Sequence, residues 1–160
     1  MKTLSRIFGL LAVAAAMLAT PAVAQSERAI SLSGDVKVVK SVTDASGQAT
    51  IEYGDTSVVV PGDRLIFRTN YKNTSAELVE NFVVTNPLPS AVVLASDSAA
   101  DLQVSVDGGE TFGLLADLTV AEEDGSTRAA NASDATHLRW VLDVIQPGET
   151  GQITFYAIVR

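Results

Sequence analysis

Between Asp35 and Arg160, apolar residues recur at every second position, in short runs cut off by glycine, proline, asparagine or aspartate. The stretch RLIFRTNYKN, Arg64 to Asn73, shows the pattern most plainly: Leu65, Phe67, Thr69 and Tyr71 share one face, and Arg64, Arg68 and Asn70 lie on the other. Successive side chains of extended backbone point to opposite sides, so this period of two predicts a strand with one dry face and one wet. The same reading gives strands at Asp35 to Val42 and Ala49 to Tyr53, then in ENFVVTNPLP, SAVVLAS and DLQVSV. Further strands follow near Leu118 to Ala121, over Thr136 to Val144 and in GQITFYAIVR. Pro87 and Pro89 stop one of them, because proline has no N–H to give a ladder. No segment of this region keeps a helical period. The expected fold is therefore all-β, an immunoglobulin-like antiparallel sandwich of about seven to nine strands. Leu65, Phe67, Tyr71, Trp140 and Phe155 are its expected core.

The one helical segment stands at the start. Lys2 and Arg6 precede the apolar run Ile7 to Leu18, and Pro21 precedes Ala22-Val23-Ala24. That order of charge, apolar run and small residues is the order of a secretory signal, with cleavage expected after Ala24. A membrane anchor is the competing reading, but the run is 12 residues, well short of the roughly 20 that span hydrocarbon. Residues 1–24 are thus expected to be removed, residues 25–33 to form a flexible polar lead unless they pair, and residues 34–160 to form the domain. The expected location is the periplasm, the cell surface or the medium.

Charge narrows the partners. The formal net charge is −8, and removal of Lys2 and Arg6 with no acid makes it −8 − 2 = −10. Nucleic-acid binding needs clustered Lys and Arg to displace counterions, so it is set aside. The chain has no cysteine. A lipid-anchored cysteine and disulfides are both excluded, and stability must come from core and backbone.

Two stretches, VVPGDRLIFRTNYKNTSAELVENFVVTNPLP (Val59 to Pro89) and HLRWVLDVIQPGETGQITFYAIVR (His137 to Arg160), resemble the bacterial envelope repeat domain DUF11. The resemblance rests on Pro61-Gly62-Asp63, Asn73-Thr74, the strand end Val83 to Pro89 with Pro87 and Pro89, Trp140, and Pro147-Gly148-Glu149. It implies an immunoglobulin-like sandwich in a surface or periplasmic protein. Members of that family commonly occur as tandem repeats, whereas one copy stands here. The physics of the motifs agrees: in each PG-acid turn proline presets φ, glycine is free to take positive φ, and the acid can bond nearby N–H groups.

The most site-like stretch is SVDGGETF. Ser105, Asp107, Gly109, Thr111 and Phe112 fit the Asp-box pattern found in sialidases. That pattern is a hairpin device, in which the carboxylate and hydroxyls bond turn N–H groups and the aromatic tucks beneath. A sialidase also needs several blades, which this length cannot house. Asp107 is therefore expected to bond turn N–H groups, and Phe112 to pack inward.

Calcium is a second candidate, with Glu122 to Ser126 and Val106 to Glu110 offering carboxylates beside glycine. Neither stretch matches the D-x-[DN]-x-[DN]-G loop, and solvated turns are the plainer reading. His137 is the sole histidine, so any triad or His-ligated zinc would have to run through it. A cross-strand pair is the simpler role. No G-x-S-x-G, P-loop or H-E-x-x-H occurs, and the bacterial origin that the resemblance implies would make the sequons at Asn73 and Asn131 chance matches. No cofactor and no catalytic residue is expected. The resulting expectation is a non-enzymatic exported module that meets envelope proteins or itself through edge strands, which the two chain-end strands are expected to be. The alternative is a small carbohydrate- or calcium-binding module.

Overall fold

The structure, a computed structural model, describes residues 29–98 and 102–160. The expected signal segment 1–24 and the lead residues 25–28 lie outside them. Eleven strands follow in order: β1 (Ile30–Thr43), β2 (Ala49–Gly54), β3 (Arg64–Asn73), β4 (Val79–Pro87), β5 (Val92–Leu94), β6 (Gln103–Ser105), β7 (Gly113–Leu114), β8 (Thr119–Ala121), β9 (Thr127–Ala129), β10 (His137–Ile145) and β11 (Thr150–Val159). They form a five-stranded sheet in the order β2-β1-β3-β11-β5, a four-stranded sheet in the order β4-β10-β6-β7, and a separate β8–β9 hairpin. Every pairing is antiparallel. The chain is an all-β antiparallel sandwich. No helix among the described residues is long and apolar enough to cross a membrane.

Period-two patterning puts the core between the sheets. Val38, Leu65, Ala157 and Leu94 form one row across the larger sheet, each opposite the next, and Val36, Phe67 and Phe155 form the row beside it. Against these rows the second sheet sets Leu138 and Val104, both fully buried, with half-buried Trp140 packed beside them. Removing a side chain such as Leu138 from water stabilises by about 1.5–3 kcal/mol. Of the expected core, Leu65 and Phe155 are buried, while Phe67 and Trp140 are half-buried and packed on the cluster. Tyr71 is also half-buried, but it lies toward the sheet's end with its ring over Gly151. A Cβ there would stand 2.2 Å from the Tyr71 hydroxyl.

Three expectations need correction. The polar lead is ordered from Ile30, because Ile30 and Leu32 continue the inward alternation and Ile30 to Ser33 ladder onto Asn73 to Asn70. The last strand is not an edge: β11 runs between β3 and β5. Inward alternation along β10 also breaks, since Val144 is exposed while Ile145 is buried. The ladder with β4 skips the Asp143–Asn81 pair, where Asn81 adopts a left-handed φ of 51°. Asparagine tolerates that region better than most residues. Beyond it Val79 and Ile145 face each other, Val79 half-buried and Ile145 fully so.

The two PG-acid turns are built alike. In the first, Val60 N–H donates to the Asp63 carboxylate (2.9 Å) and Asp63 N–H to Val60 C=O (3.0 Å); Gly62 takes φ 94°. In the second, Gln146 N–H donates to Glu149 (2.7 Å) and Glu149 N–H to Gln146 C=O (3.0 Å), with Gly148 at φ 75°. Each turn also reaches across to the strand that the other begins. Gly62 N–H donates to Val159 C=O, and Gly148 N–H donates to Asn73 C=O. β3 and β11 are thereby clasped at both ends.

Candidate functional site

Ser105 closes β6, which pairs with β7 to make the hairpin that carries the site-like residues. The Ser105 side chain is fully buried; its hydroxyl donates to Asp107 Oδ1 (2.6 Å) and accepts from Gly109 N–H (2.8 Å). Asp107 then collects the rest of the turn. Glu110 N–H (3.1 Å) and Thr111 N–H (3.0 Å) donate to Oδ1, and the Thr111 hydroxyl donates to Oδ2 (2.5 Å). Gly108 and Gly109 take φ 84° and 96°, conformations that a Cβ would oppose.

Both carboxylate oxygens of Asp107 are thus occupied by the turn itself. Phe112 departs from expectation: it is half-buried outside the core cluster, and the Arg139 guanidinium lies 4.2 Å from its ring centre. Arg139 also donates to Gln103 Oε1. It alternates along β10 with the core residues Leu138 and Trp140, so the aromatic sits under a cation on the opposite face.

The hydrogen bonds fix the charge state. The Ser105 hydroxyl, then the Thr111 hydroxyl and backbone N–H, hold the Asp107 carboxyl far below the usual carboxylate range. A depressed folded pKa gives stability that is present above the unfolded value of about 3.9 and is lost as pH falls toward the folded one. Asp107→Asn should therefore melt below the native chain at pH 7. The gap between the two should narrow as pH drops from about 4 into stronger acid. Melting curves from pH 7 to 2 check this; a gap constant over that range would refute the charged role.

Two acids of the other candidate stretch are engaged as well. Asp124 accepts from Ser126 N–H (2.9 Å) and hydroxyl (2.6 Å), and Glu122 pairs with Arg128. Arg128 bonds Asp134 as well, through two nitrogens at 2.7 Å, which lowers the pKa of that carboxyl. Among the described residues, no group of three or more His, Cys, Asp or Glu side chains is placed to hold a metal ion. His137 stands opposite both Ser105 and Pro87. Its Nδ1 is 3.2 Å from the Thr136 hydroxyl, and its ring fills the space where a Cβ on Gly109 would come within 3.4 Å. Asn131 caps the 3-10 turn Ala132–Asp134.

Asn73, met in the sequence only as a motif and a sequon, is fully buried and is the largest buried polar side chain among the described residues. Its amide donates to Ile145 C=O (3.0 Å) and Glu77 C=O (2.8 Å), and its oxygen accepts from Ser75 N–H and hydroxyl. The available signal was an asparagine at an inward position of β3 followed at once by Thr-Ser.

Among the described residues, one flank of the sandwich remains open. From Ile30 to Lys37, β1 ladders on β3 alone, because β2 first pairs at Val38. Beside this free edge, between β1 and β4, lie a hollow of about 870 Å³ walled by Ile30, Leu32, Val79 and Phe82 and another of about 230 Å³ walled by Gly34, Val36, Phe67 and Pro87. Comparison with protein-family models, curated proteins and solved structures finds no match to this chain.

Proposed function

We propose that this chain is an exported, non-enzymatic β-sandwich module with a structural or protein-interaction role in the bacterial cell envelope. The observation that carries the reading is the open flank, where backbone groups of β1 that no other described residue pairs stand beside apolar hollows. Such an edge accepts a strand through main-chain hydrogen bonds and a side chain through the adjacent pocket. The polar clusters support the same reading from the other side: both oxygens of Asp107 and one of Asp124 are engaged within their own turns. The signal-like leader and the resemblance to DUF11 support export and an envelope setting.

A photo-crosslinking residue placed at Leu32 in growing cells should yield a discrete protein adduct in the periplasmic or surface fraction. The same probe at Val58, exposed in the loop before β3, should yield none. Equal labelling at both positions, or no protein adduct at Leu32, would overturn the interaction role.

A further inference from the structure

We propose that the flank joins two copies of this chain, β1 to β1, antiparallel about a two-fold axis at Ser33. The proposal rests on the interaction reading above and names its partner. Which groups face outward follows from the hydrogen bonds of β3. Asn73 bonds the turn before β11 through both its N–H and its C=O, and Thr74 N–H donates to Ala29 C=O. Backbone groups alternate sides along a strand, so Lys72, Asn70, Arg68 and Ile66 hold β1 through their partners Ser31, Ser33, Asp35 and Lys37. The N–H and C=O groups of Ile30, Leu32, Gly34 and Val36 are left aimed at the flank.

One register satisfies all of them. With Ser33 on the axis, Ile30 stands opposite Val36 of the second copy and Leu32 opposite Gly34, and each such pair exchanges two hydrogen bonds. Moving the axis to Gly34 would set Ile30 against Val38, which already pairs with Gly54.

Side chains fit the Ser33 register on both faces. Outside, Ser31 meets Asp35, Ser33 meets Ser33 and Ala29 meets Lys37, so no like charges are opposed. Inside, Leu32 is 47 % exposed in the single chain and would lie over Gly34 of the other copy. A Cβ added at Gly34 would meet only Arg68 C=O, at 3.6 Å, which leaves room for the leucine beside the smaller hollow. Other edges suit a partner less well. β4 carries left-handed Asn81 and ends at Pro87, both of which interrupt a ladder, while β5 and β7 are three and two residues long.

Sedimentation of the purified chain over a wide concentration range, in about 0.3 M salt to screen repulsion between like-charged copies, should show a reversible dimer. Leu32→Pro and Gly34→Pro each remove outward N–H groups and leave the β3 ladder intact. Either should weaken the dimer on the order of a hundredfold with an unchanged β-sheet circular dichroism spectrum. Ile51→Pro, on the outer side of β2, should leave the dimer as it was.

Because the chain has no cysteine, Ser33→Cys gives a clean register test. A non-hydrogen-bonded antiparallel pair holds its Cα atoms about 4.5 Å apart, within disulfide range, so mild oxidation should give a covalent dimer. Ser31→Cys, about 13 Å out of register by strand rise, should not. A monomer at every concentration with no Ser33→Cys crosslink would overturn the self-pairing, and so would a dimer indifferent to both prolines. If adducts at Leu32 in cells then carry another protein's mass, the interaction reading stands without it. If there are no adducts at all, both fall.

Discussion

Asn73→Ala should cost about 2–4 kcal/mol of folding stability and lower the melting temperature by on the order of 10 °C. Asn73 closes β3, and its side chain bonds both the loop after it and the end of β10. Alanine would leave the buried Ile145 carbonyl without its donor and free both Glu77 C=O and Ser75 N–H. Each such loss costs more than a hydrogen bond contributes, because the abandoned group has already given up its water. Asn73→Asp should be at least as damaging, since a carboxylate has no proton to give either carbonyl. Denaturant titration measures the loss, and a cost below about 1 kcal/mol would show that water can replace the amide.

Phe155→Ala should cost about 3–5 kcal/mol. The ring is 3 % exposed, stacked on Phe67 with centroids 4.6 Å apart and planes at 6°, and 6.0 Å from Trp140. It stands opposite Phe67 of β3, the middle strand of the larger sheet, which β1 pairs on its other side, so the cavity cannot close without moving the clasped strands. Trp140, the only tryptophan, reports the change directly: its emission should shift to the red in the folded variant. Phe155→Leu keeps most of the volume and should cost clearly less. If alanine and leucine cost the same, the aromatic stack contributes little and the core tolerates the void.

The strands were legible because alternation is local. Arg64 to Asn73 and the last strand follow the periodic pattern, and the PG-acid turns lie where proline and glycine place them. Neighbours in a sheet are a global property, so the position of β11 at the interior of its sheet could not be read from its residues. The face switch on β10 is set by the backbone of Asn81 on another strand, invisible in the alternation of Leu138, Trp140 and Leu142. The hairpin residues were legible as a hydrogen-bonding set, since Ser, Asp, Gly and Thr at those spacings suit a tight turn. The surroundings of Phe112 were not, because the Arg139 that covers it lies 27 residues further on, 139 − 112. Asn73 was hidden for a similar reason: its burial depends on Ile145 and the turn before β11.

The clasp between β3 and β11 also sets a timetable. β11 is the last strand in chain order, yet it lies inside the larger sheet between β3 and β5. While the chain is still being made, β3 has neither its inner neighbour nor the bond from Gly148 to Asn73. β5 has no strand to lie against. Sheet completion must wait for residues roughly eighty positions downstream, and contacts of that sequence separation form slowly. The larger sheet is therefore completed from within, by a strand that enters between two others, rather than by one added at its rim.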